Sequence, residues 1–328
     1  MIRIGLLGAS RIARGAIIEP VACNDSFEVV AVAARSPSRA REYADTHRIP
    51  IVEPDYAALI ANPAIDLVYV GLPPSEHREW TVAALQAGKH VLCEKPFAMN
   101  ALEAESMVVA ASETGKTLIE AFHYRFHPLF ARIMEVLSAG SIGPVQHIDC
   151  RFNVPIAYEP AELRFNRHLG GGAMMDLGCY PAHWARTIAG EEPRVVSARA
   201  DWHDSGVDTA MEAQLEFPSG ITATLSCSMA EDLPDGLDTV LTVTGERGTL
   251  EVNNPLVPHI GHELTVKTEL GLSSETADKK STYHYQLLHV ADVLENDAKQ
   301  LTGGADAVEN MRVLDAVYSA AASCRGPG

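Results

Sequence analysis

Ile2-Arg3-Ile4-Gly5-Leu6-Leu7-Gly8-Ala9-Ser10-Arg11-Ile12-Ala13 follows the initial methionine and decides the fold. An apolar run short enough for a buried strand ends at a glycine, and a helical pattern begins within three residues. The stretch reads as G-x-G-x-x-[GA] with serine at the second glycine, the fingerprint of a dinucleotide-binding strand–turn–helix. Gly8 permits the tight turn, and the small Ala13 lets helix and strand pack closely. Ser10 stands where the backbone must approach a pyrophosphate. Its hydroxyl can donate to a phosphate oxygen, and the helix N-terminus offers free N–H groups. Gly8, Ala9, Ser10, Arg11 and Ile12 are the expected phosphate-binding residues; the alternative is a packing turn with no ligand.

Outward from that turn, short apolar runs alternate with helical periodicity. Runs at 2–7, 27–33, 67–70, 90–93 and 117–119 predict strands, and 11–19, 38–46, 56–61, 76–87 and 101–114 predict helices. Gly88 and Gly115 stand where helices should stop. Strands joined by helices predict a doubly wound parallel sheet with its ligand at the carboxyl ends of the strands. Beyond about residue 193 the rhythm changes. Segments 195–200, 209–217, 221–229, 239–244 and 249–252 predict consecutive strands, with hairpin turns at Pro218-Ser219-Gly220 and Gly245-Glu246-Arg247-Gly248. Helices at 286–298 and 306–322 close the chain. The expected fold is an α/β Rossmann domain over 1–121 and an α+β domain over 122–328 with a large, mostly antiparallel sheet.

At 328 residues the chain exceeds what one core usually absorbs, which favours two domains. A net charge of −17 argues against nucleic acid or an anionic membrane surface as partner. No segment approaches the roughly 20 apolar residues that span a bilayer. Six scattered cysteines (Cys23, Cys93, Cys150, Cys179, Cys227 and Cys324) form no CxxC pair, as expected of thiols in a reducing cytoplasm. His123 and His127 are four apart, but Pro128 follows at once and no carboxylate or cysteine stands at a supporting spacing, so no metal is expected.

The end of the second strand bears on which nucleotide is bound. An NAD site usually places a carboxylate there for the ribose 2′-OH, whereas an NADP site places arginine. Here Arg35-Ser36 ends the strand, Arg39 follows one helical turn later, and no Asp or Glu occupies the position. A guanidinium fork suits a 2′-phosphate, so NADP is preferred and NAD remains possible, with the arginines then solvated surface charges. Glu94-Lys95-Pro96 ends another strand of the array. A lysine there is placed beside a bound cofactor, and a proline after it stiffens the backbone.

These features, with Gly71-Leu72-Pro73-Pro74, His77, the run 120–128 containing His123, Arg125 and His127, and Gly170-Gly171-Gly172-Ala173-Met174-Met175-Asp176-Leu177-Gly178-Cys179-Tyr180, occur in order over most of the chain. The set resembles the glucose–fructose oxidoreductase / inositol dehydrogenase / MocA family. It is most similar to the branch with trans-dihydrodiol dehydrogenase and NADP-dependent D-xylose dehydrogenase, which keeps tyrosine where inositol dehydrogenases keep histidine. The resemblance implies hydride transfer between nicotinamide C4 and a secondary alcohol or carbonyl of a sugar, cyclitol or dihydrodiol. It implies Tyr180 as acid/base, Lys95 as the assisting cation and Asp176 as a substrate or orienting group. It further implies coenzyme contacts from Leu72, Pro73, His77, Glu94, Lys95 and Tyr283, and substrate contacts from Lys95, Arg125, Asn166, Asp176, Tyr180 and His183. His183 is the rival proton carrier. Asp176, Tyr180 and His183 are spaced i, i+4 and i+7, so a helix starting near Ala173 would present them on one face. A homodimer or homotetramer built on the second domain's sheet is also implied. Two other functions remain open: an NADP-binding sensor without turnover, and a redox-neutral hydrolase or epimerase that retains its coenzyme.

Overall fold

Apolar strands buried on both faces need helices on both sides, and the first unit of the protein is built that way. The structure, a computed structural model, describes residues 1–230 and 236–323; Cys324 lies outside them. The chain divides into two compact units, Met1–Arg125 with Tyr283–Val308, and Phe126–Thr282 with the chain from Glu309 onward.

The first unit holds six parallel strands, β1 (Ile2–Leu7), β2 (Phe27–Ala33), β3 (Ile51–Val52), β4 (Leu67–Val70), β5 (His90–Cys93) and β6 (Leu118–Glu120). Their order is β3-β2-β1-β4-β5-β6. The helices begin where side chains satisfy free N–H groups. Asp55 accepts from Ala58 N–H at 2.8 Å and starts Tyr56–Ala61, and Asn100 accepts from Glu103 N–H at 3.0 Å and starts Ala101–Thr114. Gly115, at φ 65°, ends the latter in the left-handed conformation. Ile4, Leu6, Leu92 and Ile119 form one core with Leu287 and Val290 of the helix Thr282–Asn296. That shared core explains why 283–308 belongs to the first unit, a return that a single division at 121/122 does not provide for.

The second unit carries an eight-stranded sheet: β7 (Val145–Asn153), β8 (Arg194–Trp202), β9 (Asp208–Glu216), β10 (Thr222–Ser228), β11 (Asp238–Gly245), β12 (Gly248–Asn253), β13 (Glu263–Thr268) and β14 (Gly271–Glu275). The order is β14-β13-β12-β11-β7-β10-β9-β8, antiparallel except for the β7–β10 pair. One face is apolar: Ile148, Cys150 and Phe152 of β7 and Ala223, Leu225 and Cys227 of β10 are buried, and the helix Cys179–Ala189 packs on both strands. On the other face Thr222 is exposed and Thr224 and Ser226 half-buried. Burial pushes the thiols of Cys93, Cys150 and Cys227 well above their ordinary range, so they are inert apolar groups. No helix among the described residues is long and apolar enough to cross a membrane.

Four strands lie outside the sequence reading: β3, β7, β13 and β14. The helix expected at 11–19 contains a π turn at Arg14–Ile18 and extends to Val21. The helix expected to start near Ala173 also opens with a π turn, Met174–Gly178, before the α-helix from Cys179. A π turn breaks the i, i+4 register, so the single-face argument for Asp176, Tyr180 and His183 does not hold as stated.

Gly245 ends β11 at a register shift against β7. A Cβ there would collide with the backbone carbonyl oxygen of Ile142, which cannot swing aside as a side-chain tip can. Gly245→Ala is expected to lower stability by about 1–3 kcal/mol, read in urea unfolding as a lower midpoint at unchanged slope.

Candidate active site

β1 and β4 are neighbours although the chain passes from β1 to β2, so strand order reverses between them. In doubly wound sheets that reversal opens the crevice used for nucleotides. Gly8 follows β1 at φ 95°, a region that favours glycine. A Cβ on Gly8 would lie 3.0 Å from the Gly71 carbonyl oxygen, just after β4, and Gly71 N–H donates to Leu7 O at 3.2 Å. Ser10 Oγ is buried and has no hydrogen-bond partner in the protein. Leaving such a hydroxyl unpaired costs about 1–3 kcal/mol, which a phosphate oxygen would relieve. The bare backbone and the orphaned hydroxyl fit a dinucleotide pyrophosphate. Arg11 and Ile12 are exposed in the first helical turn beside them, and Ala9 is buried.

The basic cluster divides. An Arg39 Nη donates to Ala9 O at 3.1 Å, tying that guanidinium to the fingerprint loop. Arg35 is largely exposed, 4.0 Å from Glu76, a carboxylate that sequence reading did not connect with it. Ser36 Oγ caps Pro37–His47 by accepting from Arg39 N–H at 3.4 Å, and lies 3.0 Å from Ser38 Oγ. Tyr43, also unforeseen, donates its hydroxyl to Ser10 O at 3.1 Å, and burial pushes its pKa up to about 12.

The next two strand ends are joined by His77. Its Nε2 is 2.8 Å from Leu72 O, its Nδ1 is 3.0 Å from Pro96 O, and the residue is fully buried. Both ring nitrogens of His77 thus face backbone carbonyls. His77 supports the loops holding Leu72, Pro73 and the cis Lys95–Pro96 bond. A neutral imidazole donates to only one carbonyl and only the imidazolium to both; burial lowers the His77 pKa while these carbonyls oppose the shift. Glu94 is buried and accepts from Tyr69 Oη at 2.7 Å and from Lys95 N–H at 3.4 Å. Lys95 is half-buried, as are Arg125 and Tyr283, and the Tyr283 ring packs 4.1 Å from that of His123.

In the second unit the glycine run is held by Asp208, a residue sequence reading missed. This buried carboxylate accepts from Met174 N–H at 2.7 Å and from Tyr318 Oη at 2.7 Å. Gly172 sits at φ 126°, and a Cβ on it would occupy the place of Asp208 Oδ1. Asp176, in the π turn, is paired with Arg164 (Nε–Oδ2 2.5 Å), which also binds Glu162 at 3.0 Å. Asp176 is thus an oriented carboxylate with one oxygen engaged by a guanidinium. Tyr180 is buried, its ring 5.7 Å from that of Phe152 and 6.4 Å from that of Trp184. His183, one α-helical turn on, is also buried. Asn166 is exposed, with Oδ1 accepting from His168 N–H. His127 caps the helix Pro128–Ser138 through Leu129 N–H. No three His, Cys, Asp or Glu side chains cluster as metal ligands among the described residues.

A family model described as an oxidoreductase family with an NAD-binding Rossmann fold matches residues 2–122, and a GFO/IDH/MocA C-terminal domain model matches 130–251. D-xylose 1-dehydrogenase (NADP(+)) 2 of Haloferax volcanii is 34% identical over 319 residues, covering 97% of this chain and 96% of that protein. Trans-1,2-dihydrobenzene-1,2-diol dehydrogenase of Xenopus laevis is 37% identical over 226 residues, 69% of this chain and 67% of that one. Among solved structures, a 3-ketoreductase from Actinomadura kijaniata in complex with NADP and TDP-benzene aligns with a TM-score of 0.89 at 26% identity, covering 97% of each chain. Aldose-aldose oxidoreductase from Caulobacter crescentus, complexed with glycerol, gives 0.89 at 29% identity, over 99% of this chain and 98% of that one.

Burial raises the Asp208 pKa from 3.8 despite hydrogen bonds from Met174 N–H, the Tyr318 hydroxyl and its own backbone N–H. An acid whose pKa is raised on folding binds its proton more tightly in the native state, so its stabilising effect is complete below the unfolded value. The effect is lost as pH rises through the folded value. The unfolding free energy of wild type minus that of Asp208→Asn is therefore expected to fall as pH is raised from about 4. Denaturant titrations at several pH values read this difference; a flat or rising one contradicts the assignment.

Proposed function

The chain belongs to the Gfo/Idh/MocA family of oxidoreductases, and on that premise we propose that it is an NADP-dependent dehydrogenase or reductase. Its substrate is a secondary alcohol or carbonyl of a sugar, cyclitol or dihydrodiol. The observation that carries the coenzyme reading is the orphaned Ser10 hydroxyl beside a loop whose Ala9 carbonyl is held by Arg39. The NADP named for the Haloferax enzyme and present with the ketoreductase supports the same choice. Gly8 through Ile12 would hold the pyrophosphate, Arg39 with Arg35 and Ser36 the 2′-phosphate, and Leu72 and Pro73 would border the ring. Tyr283 and Glu94 would act at one remove, Glu94 through the backbone of Lys95.

A bound nicotinamide supplies hydride exchange at C4; the side chains manage the proton and the substrate. Tyr180 takes the hydroxyl proton during oxidation and returns it during reduction. Lys95 stabilises the alkoxide charge and favours the phenolate. Asp176, held by Arg164, accepts a substrate hydroxyl, and Arg125, Asn166 and His183 line the remaining contacts. The half-exposed face of the eight-stranded sheet is the proposed subunit interface, in a cytoplasmic homodimer or homotetramer. A panel of aldoses, cyclitols, ketosugars and dihydrodiols with NADP(H) and NAD(H), followed at the nicotinamide absorbance, tests the activity; absence of turnover with tight NADP binding would indicate a sensor instead.

Lys95→Ala is expected to reduce kcat/KM by about a thousandfold or more while leaving NADP affinity nearly unchanged. Tyr180→Phe should cost about 10²–10⁴-fold. Retained turnover in either variant would remove it from the chemistry. Arg35→Asp should weaken NADP by about tenfold or more and NAD little, as read by fluorescence titration. Equal losses for both coenzymes would overturn the 2′-phosphate assignment.

A further inference from the structure

The second unit contains a cavity of about 390 Å³, of whose lining the proposed chemistry uses Asn166 alone. Pro160, Phe165, Asn166, Arg167 and His168 form one wall, and Ser205 and Gly206 of the turn between β8 and β9 form the other. Its apolar part is Pro160 and the Phe165 ring, which is backed edge-on by Tyr158 at 5.1 Å and His203 at 5.2 Å.

The donors in the polar part come from Asn166, Arg167 and His168. Asn166 spends its Oδ1 on His168 N–H, which leaves its amide NH₂ for the cavity. His203 Nδ1 accepts from Ser205 N–H at 3.1 Å, so it carries no proton, and the Ser205 hydroxyl 2.9 Å away donates to it as well. Neither Arg167 nor His168 is paired with a carboxylate among the described residues, although the chain carries 43 acidic side chains against 26 lysines and arginines. Glu162 is engaged by Arg164, and Asp204, in the same turn as Ser205, does not line the cavity.

The backbone that carries these donors is held in place. Gly170 N–H donates to Arg167 O at 3.2 Å, Gly171 N–H to Asn166 O at 3.0 Å, and Gly172 N–H to Arg164 O at 2.9 Å. The Arg167 stem passes 3.9 Å from where a Gly206 Cβ would stand. Arg164, immediately before Phe165, is the residue that grips Asp176. The cavity wall and the π turn with the proposed substrate carboxylate are therefore one braced segment.

We propose that this cavity is a subsite for an anionic substituent, a phosphate or carboxylate, carried by the substrate, with Arg167, His168 and the Asn166 amide as its donors. This deepens the oxidoreductase reading and rests on it for the substrate's reacting end. The substrate class it names is a phosphorylated or acidic sugar rather than a neutral pentose or polyol.

Inorganic phosphate is the probe, titrated calorimetrically into the full chain with saturating NADP⁺, which fills the nucleotide's own phosphate sites. Arg167→Gln should weaken phosphate binding by about tenfold or more, and His168→Asn by several-fold. An unchanged thermal midpoint and NADP⁺ affinity show that each variant is folded. Phosphate that fails to bind, or binds wild type and both variants alike, overturns the subsite. The wild type should then prefer a sugar phosphate or sugar acid over its neutral parent in kcat/KM, and Arg167→Gln should lose that preference. Phosphate binding at Arg167 with no such preference would mean a free-anion site and overturn the substrate assignment. The titration needs no turnover, so a protein inactive on every sugar would sink the oxidoreductase reading while leaving the subsite result standing.

Discussion

Gly8 cannot carry a side chain, and much of the first unit is arranged around that fact. The reversal of strand order brings the end of β4 against the end of β1, and the Gly71 carbonyl occupies the space beside Gly8. Two backbones at this distance leave a floor of peptide groups rather than side chains, the surface a pyrophosphate can approach. The surrounding residues stiffen it: Tyr43 and Arg39 hold the carbonyls of Ser10 and Ala9, and His77 ties Leu72 to Pro96. The buried Ser10 hydroxyl is left without a partner in the protein. A site that binds by backbone must first fix the backbone, and these side chains serve that purpose.

The second unit solves a similar problem with charge. Burying the Asp208 carboxylate is costly, as the upward shift of its pKa shows, yet it receives donors from Met174 N–H and Tyr318. Holding Met174 N–H this way accompanies the π turn at Met174–Gly178, and π turns recur where a helix must re-aim side chains. The Arg164–Asp176 pair fixes the carboxylate in that turn. Geometry is thus maintained by ionic groups distant in sequence, and the small residues of the glycine run make room for them, as Gly172 does for Asp208 Oδ1.

Legibility in the sequence followed locality. Helices Tyr56–Ala61 and Ala101–Thr114 read correctly to the residue because Asp55, Asn100 and Gly115 mark their ends by local hydrogen bonds and a left-handed turn. The turn after β1 was legible for the same reason, since Gly8 marks it with a positive φ. Strand β7 was missed although it lies inside the sheet, because its buried set is only Ile148, Cys150 and Phe152, alternating with Asp149 and Arg151. The exposed edge strand β14 has no apolar face to read. The role of His77 depends on two carbonyls from different loops, and that of Asp208 on a tyrosine 110 residues away. No spacing rule reaches such pairs. The π turn likewise has no compositional mark, and an ideal helical register misplaced the residues around it.

The helix Ala305–Ser323 has a consequence for dissecting the protein. It supplies Tyr318 to Asp208 and Asn310 to the carbonyl of Cys179, while the helix Thr282–Asn296 completes the core of the first unit. Each unit is assembled from two separated stretches of chain. One cut in the polypeptide therefore cannot release both units as intact fragments, and excising either requires rejoining its two pieces.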